Sequence, residues 1–131
     1  MPLEPLETAV LQKLLNGDHP ILAALRDQMD GLSVKTRKNT GAGFFTEFST
    51  ADAVRPASLP SGRIRFGDVQ ATVDGLKNGA GFLLLIEQGL LHMLEGYSYE
   101  EPWPETIGEF SLKYNNPDRK KELAKLGPGS C

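Results

Sequence analysis

Apolar positions recur with two different periods along this chain, and the change of period predicts its architecture. Near the N-terminus the period is helical. Leu6, Val10, Leu11, Leu14 and Leu15 form one apolar stripe, the signature of an amphipathic helix. Asn16-Gly17 supplies a left-handed stop. Asp18 reads as the N-cap of a second helix, with Pro20 in its first turn, where a missing N–H costs nothing. Ile21, Leu22, Leu25 and Met29 line that helix, and Gly31 ends it.

From Leu32 the period becomes two. Leu32, Val34 and Thr36 alternate with Ser33, Lys35 and Arg37, the pattern of a half-buried strand. Residues 39–43 have turn composition, and Phe44–Phe48 returns as a hairpin partner. Residues 50–62 hold Pro56, Pro60 and Gly62 without a useful period and read as a loop. Arg63–Phe66 and Val69–Val73 flank Gly67-Asp68 and read as short strands, or as one strand with a bulge. The stretch from Gly81 to Glu87 is apolar on both faces, which predicts a central strand. Gln88-Gly89 turns the chain into a returning strand from Leu90 to Tyr97. A proline-rich loop over 98–108, a last strand over 109–114 and a terminal helix over 117–126 complete the pattern. The expected fold is α+β: an N-terminal two-helix hairpin packed on an antiparallel sheet of five or six strands, with a short C-terminal helix. Residues 1–126 form a single domain in this reading, and 127–131 a flexible tail.

Composition narrows the class. Of 131 residues, 40% are hydrophobic and 24% charged, a globular rather than a disordered balance. The longest apolar run, Phe82–Ile86, is far short of the roughly 18 residues of a bilayer span. Glu4 and Glu7 near the start argue against a secretory leader. Cys131 is the only cysteine, so neither an internal disulfide nor a cysteine-rich zinc site is available, and a cytoplasmic address is expected.

Charge is unevenly distributed. Residues 32–66 carry six basic and two acidic side chains, whereas 68–109 carry eight acidic and one basic. Lys35, Arg37, Arg63 and Arg65 are expected on outward strand faces, opposite Val34, Ile64 and Phe66. They would form a basic stripe if their strands were neighbours. A net charge of −3 and a pI near 5.4 argue against nucleic acid as the partner.

No residue set has the spacing of a catalytic, metal or cofactor site. Gly41-Ala42-Gly43-Phe44 recurs as Gly79-Ala80-Gly81-Phe82, but strands follow both copies. A phosphate cradle needs a helix N-terminus there. His19 falls in the first turn of the second helix and reads as a neutral surface residue. His92 is expected to share a strand face with Leu90 and Leu94, the setting of a core or rim histidine. Glu87 and Glu95 are too far apart across the hairpin to act as a carboxylate pair. The most distinctive segment runs from Tyr97 to Glu105. It joins Tyr97, Tyr99 and Trp103 to Glu100, Glu101 and Glu105, with Pro102 and Pro104 between them. Aromatic anchors ringed by acids predict a protein-interaction loop for a basic partner. The bland reading makes Trp103 a plug over the sheet edge. The alternative function is a small enzyme or ligand-binding domain, with His92, Glu95, Arg63 and Arg65 around a pocket. Homodimerisation through a sheet edge is a third possibility.

The GAGF segments, Asp68-Val69 through Gly75-Leu76, Leu94-Glu95-Gly96-Tyr97-Ser98-Tyr99 and Pro102-Trp103-Pro104 together resemble a family of small bacterial proteins. The resemblance spans residues 35–105. It implies a bacterial, cytosolic, stand-alone domain and carries no activity with it. In size and acidity alone the chain is similar to immunity proteins that neutralise toxins.

Overall fold

The computed structural model describes residues 2–52 and 54–127. The expected tail from 128 onward, with Cys131, therefore lies outside the described residues, as do Met1 and Ala53.

Two helices lead. α1 spans Pro5–Leu14 and buries Leu6, Val10, Leu11 and Leu14. Each such side chain contributes about 1.5–3 kcal/mol when removed from water. α2 spans Pro20–Asp27 and buries Leu22 and Leu25. Its N-cap is His19, not Asp18. The His19 Nδ1 accepts from the Ile21 N–H at 3.1 Å, and Nε2 lies 3.0 Å from the Gly127 carbonyl oxygen. This pairing requires the neutral ring protonated at Nε2.

Seven strands follow: β1 Ser33–Asn39, β2 Gly43–Ser49, β3 Arg63–Phe66, β4 Val69–Val73, β5 Ala80–Glu87, β6 Leu90–Ser98 and β7 Phe110–Tyr114. They form one antiparallel sheet in the order β1-β2-β6-β5-β4-β7, with β3 also paired to β5. The fold is thus α+β, with seven strands where five or six were expected. The difference lies at Gly67-Asp68. Phe66 pairs with Leu84 and Gln70 with Gly81, so β3 and β4 carry one residue more than the stretch of β5 they face. This bulge divides one long strand into two. The terminal helix is also shorter than expected: α3 covers only Lys120–Leu123 and passes into a 3-10 turn over Ala124–Leu126.

The helices cover one face of the sheet, where Phe44, Phe48, Phe66, Phe82, Leu84, Ile86, Leu91 and Leu94 build the core. The opposite, outer face carries the half-buried and exposed side chains of β2, β5 and β6. Bulges decide which side chains face which way. The β1 register shifts between Val34 and Thr36, so Arg37 pairs with the buried Thr46 and points inward. It is not part of an outward basic stripe. The β6 register shifts beside Leu91–Met93, which places both Leu91 and Leu94 in the core. His92 falls on the extra residue, beside Met93 on the outer side, rather than sharing a face with Leu94.

Three buried polar groups fasten the layers. The β3–β4 bulge turns Asp68 inward, where it takes Arg119 Nε at 2.6 Å and Nη2 at 3.1 Å. The same guanidinium donates to the carbonyls of Leu14 (2.8 Å) and Asn16 (2.6 Å) and lies 4.2 Å from the centre of the Tyr114 ring. One side chain thereby satisfies two carbonyls at the α1 C-terminus and neutralises the acid in the sheet. Gln28 clamps the end of α2 to the β5–β6 hairpin by donating to the Gly89 carbonyl at 2.7 Å and accepting from the Leu91 N–H at 2.9 Å. Glu7, the third, joins α1 to β1 and β2 at the candidate site. Among the described residues, no buried side-chain nitrogen or oxygen lacks a hydrogen-bond partner.

Asp68→Ala strands the Arg119 charge in the core, and we expect a loss of about 3–5 kcal/mol in urea unfolding. A loss below about 1 kcal/mol, the range of exposed pairs, would show that the pair does not hold the layers together.

Candidate functional site

The level at which β2, β6 and β5 cross one another organises everything around the Tyr97–Glu105 segment. There the register aligns Phe44 with Gly96 and Gly96 with Phe82 on the inner face. One residue along, it aligns Gly43 with Tyr97 and Tyr97 with Gly81 on the outer face. A side chain at position 96 would meet the Phe44 ring at 2.2 Å, and one at 81 would meet the Tyr97 ring at 2.5 Å. Each aromatic ring lies across a neighbouring glycine, which covers backbone that glycine leaves bare. The GAGF echo is therefore structural: its two copies flank β6 on either side.

The acidic aromatic loop does not form one surface. Its residues are shared between the two faces and the edge. Trp103 is buried at 9% exposure, in an edge contact with Phe44 at a centroid distance of 5.2 Å, with its backbone N–H donating to the Gly41 carbonyl at 2.7 Å. It is a plug, and it sits on the inner side. Tyr97 and Tyr99 lie on the outer side, 37% and 45% exposed, edge-to-face at 5.6 Å. Burial, then the neighbouring Tyr99 and Glu95, push the Tyr97 phenol above its ordinary range. Glu101 is taken up by structure: its carboxylate accepts the N–H groups of Lys77 and Asn78, both at 2.9 Å, and these bonds hold its pKa below the usual carboxylate value. Ser98 Oγ donates to the Glu101 carbonyl and closes the turn. Glu100, at φ 59°, and Glu105 remain exposed.

Beneath Trp103 lies a cleft of about 500 Å³. Its walls are Leu6 and Pro5 of the α1 start, Phe44, Trp103, Pro104, Ile107 and Phe110. Its polar floor is an ion pair. Glu7 accepts from Arg37 Nη2 at 2.6 Å and Nε at 3.0 Å, from Thr46 Oγ1 at 2.5 Å and from the Glu4 N–H at 2.7 Å. Burial alone pushes the Glu7 carboxyl up, but its donors, Arg37 foremost, outweigh this and leave its pKa lowered. The pattern carried a signal for this residue. Glu7 stands three, four and seven positions before Val10, Leu11 and Leu14, on the buried stripe itself. An acid there needs a partner, and the partner is the inward Arg37. Glu4 and Glu105 complete the rim.

The alternative pocket residues fall elsewhere. His92 lies on the outer side, with Nε2 3.3 Å from Glu87 Oε2, and Glu87 also takes Arg63 at 3.1 Å. Arg65 and Glu95 occupy two different cross-strand rows of the outer face. Neither His92 nor Glu95 lines the cleft under Trp103 or the smaller one between α2 and Arg55. Among the described residues, no group of three or more His, Cys, Asp or Glu is arranged to hold a metal ion, and no helix is long and apolar enough to cross a membrane. No family model, curated protein or solved structure matches the chain.

The lowered pKa of Glu7 gives a pH dependence with a definite sign. Its stabilising contribution is complete above the unfolded value of 4.5 and is lost as pH falls through the lower folded value. Wild-type unfolding free energy should therefore drop on acidification below pH 4.5 more steeply than that of Glu7→Gln. Urea titrations at stepped pH measure the difference. Parallel profiles would exclude Glu7 as the linked group.

Proposed function

We propose that this domain is a non-enzymatic protein-interaction module, immunity-like or regulatory, that binds through the outer face of its sheet. The observation that supports this reading is the Tyr97–Tyr99 pair. These are the exposed large hydrophobic residues of the described chain, and they stand at one end of a face that also carries half-buried Phe45, Leu83, Leu85 and Met93. Tyrosine combines a large apolar area with a polar tip at low entropic cost, which suits it to interface anchoring. Glu95 neighbours Tyr97 on the same face, and Glu100 follows Tyr99, so the pair is flanked by negative charge. A partner presenting Lys or Arg beside apolar groups fits this chemistry: its cation can lie over an exposed ring while the acids steer approach.

This assignment narrows the loop's role. Tyr97, Tyr99 and Glu100 remain available as contacts. Trp103 and Glu101 hold the loop in place, and Glu105 belongs to the cleft.

A second reading rests on a different observation. One cross-strand row runs Arg65, Leu85, Met93, Glu47, so it is apolar in the middle and oppositely charged at its ends. A second copy rotated about an axis parallel to the strands would set Arg65 against Glu47 twice. Sedimentation of wild type, Arg65→Glu and the Arg65→Glu, Glu47→Arg swap tests this. Self-association lost in the first variant and restored in the second would identify the partner as another copy.

For the main reading, arrays of peptides that combine Lys or Arg with apolar residues provide the test. We expect Tyr99→Ser and Glu100→Lys each to weaken retained binding by about tenfold or more, with the Glu100 effect fading at high salt. Glu101 is left intact because it holds the Lys77–Asn78 turn. Binding that survives both substitutions unchanged would exclude the tyrosine end of the face.

A further inference from the structure

We infer that the cleft under Trp103 is a binding site for a small organic cation with an apolar body, of the arylalkylammonium kind. The inference is independent of the outer-face reading, because the cleft opens on the inner side of the sheet.

Three features of the cleft define the ligand. The first is its size and lining. A volume of about 500 Å³ walled by Phe44, Trp103, Ile107 and Phe110 falls within the range of small-molecule sites. The second is rigidity. Trp103 is fixed in an edge contact with Phe44 and tied to Gly41 through its backbone N–H, and Phe44 is pressed across Gly96. The aromatic wall is thus set by the sheet before any ligand arrives, so little ordering cost remains for binding.

The third feature is the charge available to a ligand. Among the described residues Arg37 is the only cation in the lining, and it is engaged: Nε and Nη2 both bond Glu7, and Nη1 lies 3.6 Å from Glu4. Glu7 is equally engaged and buried. The floor is therefore a neutral pair. What remains is the rim, where Glu4, with a side chain 56% exposed, and the exposed Glu105 add negative charge. An anion would have to displace Glu7 from Arg37, leaving a buried carboxylate without its partner. A cation needs no displacement. Its head sits at the acidic rim, and its apolar body lies against the indole and phenyl rings.

Trp103 is the sole tryptophan, so intrinsic fluorescence reads the cleft directly. The experiment titrates the full chain with three probes of similar shape: phenethyltrimethylammonium, 3-phenylpropanol and 3-phenylpropanoate. Amide chemical shifts at Gly108 and the Trp103 indole N–H locate the site. We expect a saturable fluorescence change and cleft-centred shifts with the cation, and weaker binding of the neutral and anionic probes. Glu4→Gln with Glu105→Gln should weaken the cation by about three- to tenfold, because rim carboxylates act through solvent. Glu4 caps α1 and lies 3.6 Å from Arg37, so Glu105→Gln alone is measured beside the double variant, and circular dichroism checks that both are folded. Tighter binding of the propanoate, equal binding of all three probes, or no saturable change up to about 10 mM would each overturn the assignment.

Discussion

The contact on which both candidate surfaces depend is the packing of the Phe44 ring across Gly96. A sheet has two faces, and successive residues of a strand serve them alternately. At the Gly96–Tyr97 step β6 gives up a side chain on the inner face and places a tyrosine on the outer one. The neighbours are complementary: β2 and β5 both supply phenylalanine inside and glycine outside. On the inner side Phe44 meets Trp103 in a T-shaped contact, and both rings line the cleft. On the outer side the Tyr97 ring rests over Gly81 and meets Tyr99. One register, read from opposite faces, makes both sites. A slip of a single residue would exchange the faces and destroy them together.

Buried charge then fixes what the register leaves free, which is how the helices sit on the sheet. α1 is held at both ends by ions: Glu7 with Arg37 near its start, and Arg119 with Asp68 at its finish. Each pair joins elements distant in sequence, and one member of each, Glu7 or Arg119, also bonds backbone at an end of the helix. Such pairs add little net stability against a well-packed apolar alternative, but breaking one leaves a charge in the core. Their effect here is positional. The Glu7 pair forms the floor of the cleft, so the device that orients α1 also sets the cleft's polarity.

Much of this fold was legible in the chain. The helical stripe of α1, the strands from β3 to β6, the turn at Gln88-Gly89 and the bulge at Gly67-Asp68 all follow from period and turn chemistry. What escaped were features created by a single extra residue. Alternation in Ser33–Arg37 places Arg37 outside, but the bulge beside Lys35 moves it inside. Alternation in Leu90–Tyr97 puts His92 with Leu94, and a second bulge separates them. Bulges without glycine leave no mark on the hydrophobic pattern. The candidate site was half visible for a related reason. Tyr97 to Glu105 stood out by composition, yet composition cannot show that the chain turns through Glu100 and sends Trp103 and Tyr99 to opposite sides. The clearer overlooked signal was Glu7, an acid on a buried stripe.

The charge asymmetry of the sequence gains its meaning from strand order. The basic block occupies β1 and β3, and the acidic block occupies β5, β6 and the loop that follows. In the sheet order, basic β3 adjoins β5, whereas basic β1 is separated from β6 by β2, whose one charge is Glu47. Arg63 meets Glu87, and Lys38 shares a row with Glu95 with Phe45 between them, so part of the acidic block faces basic side chains. The exposed acids Glu100 and Glu105 lie beyond the strands, in the loop that follows β6. The tyrosine pair and the rim of the cleft both take residues from this loop. A chain with only a modest net charge can therefore present a cation-attracting end, and this end is where its aromatic side chains gather.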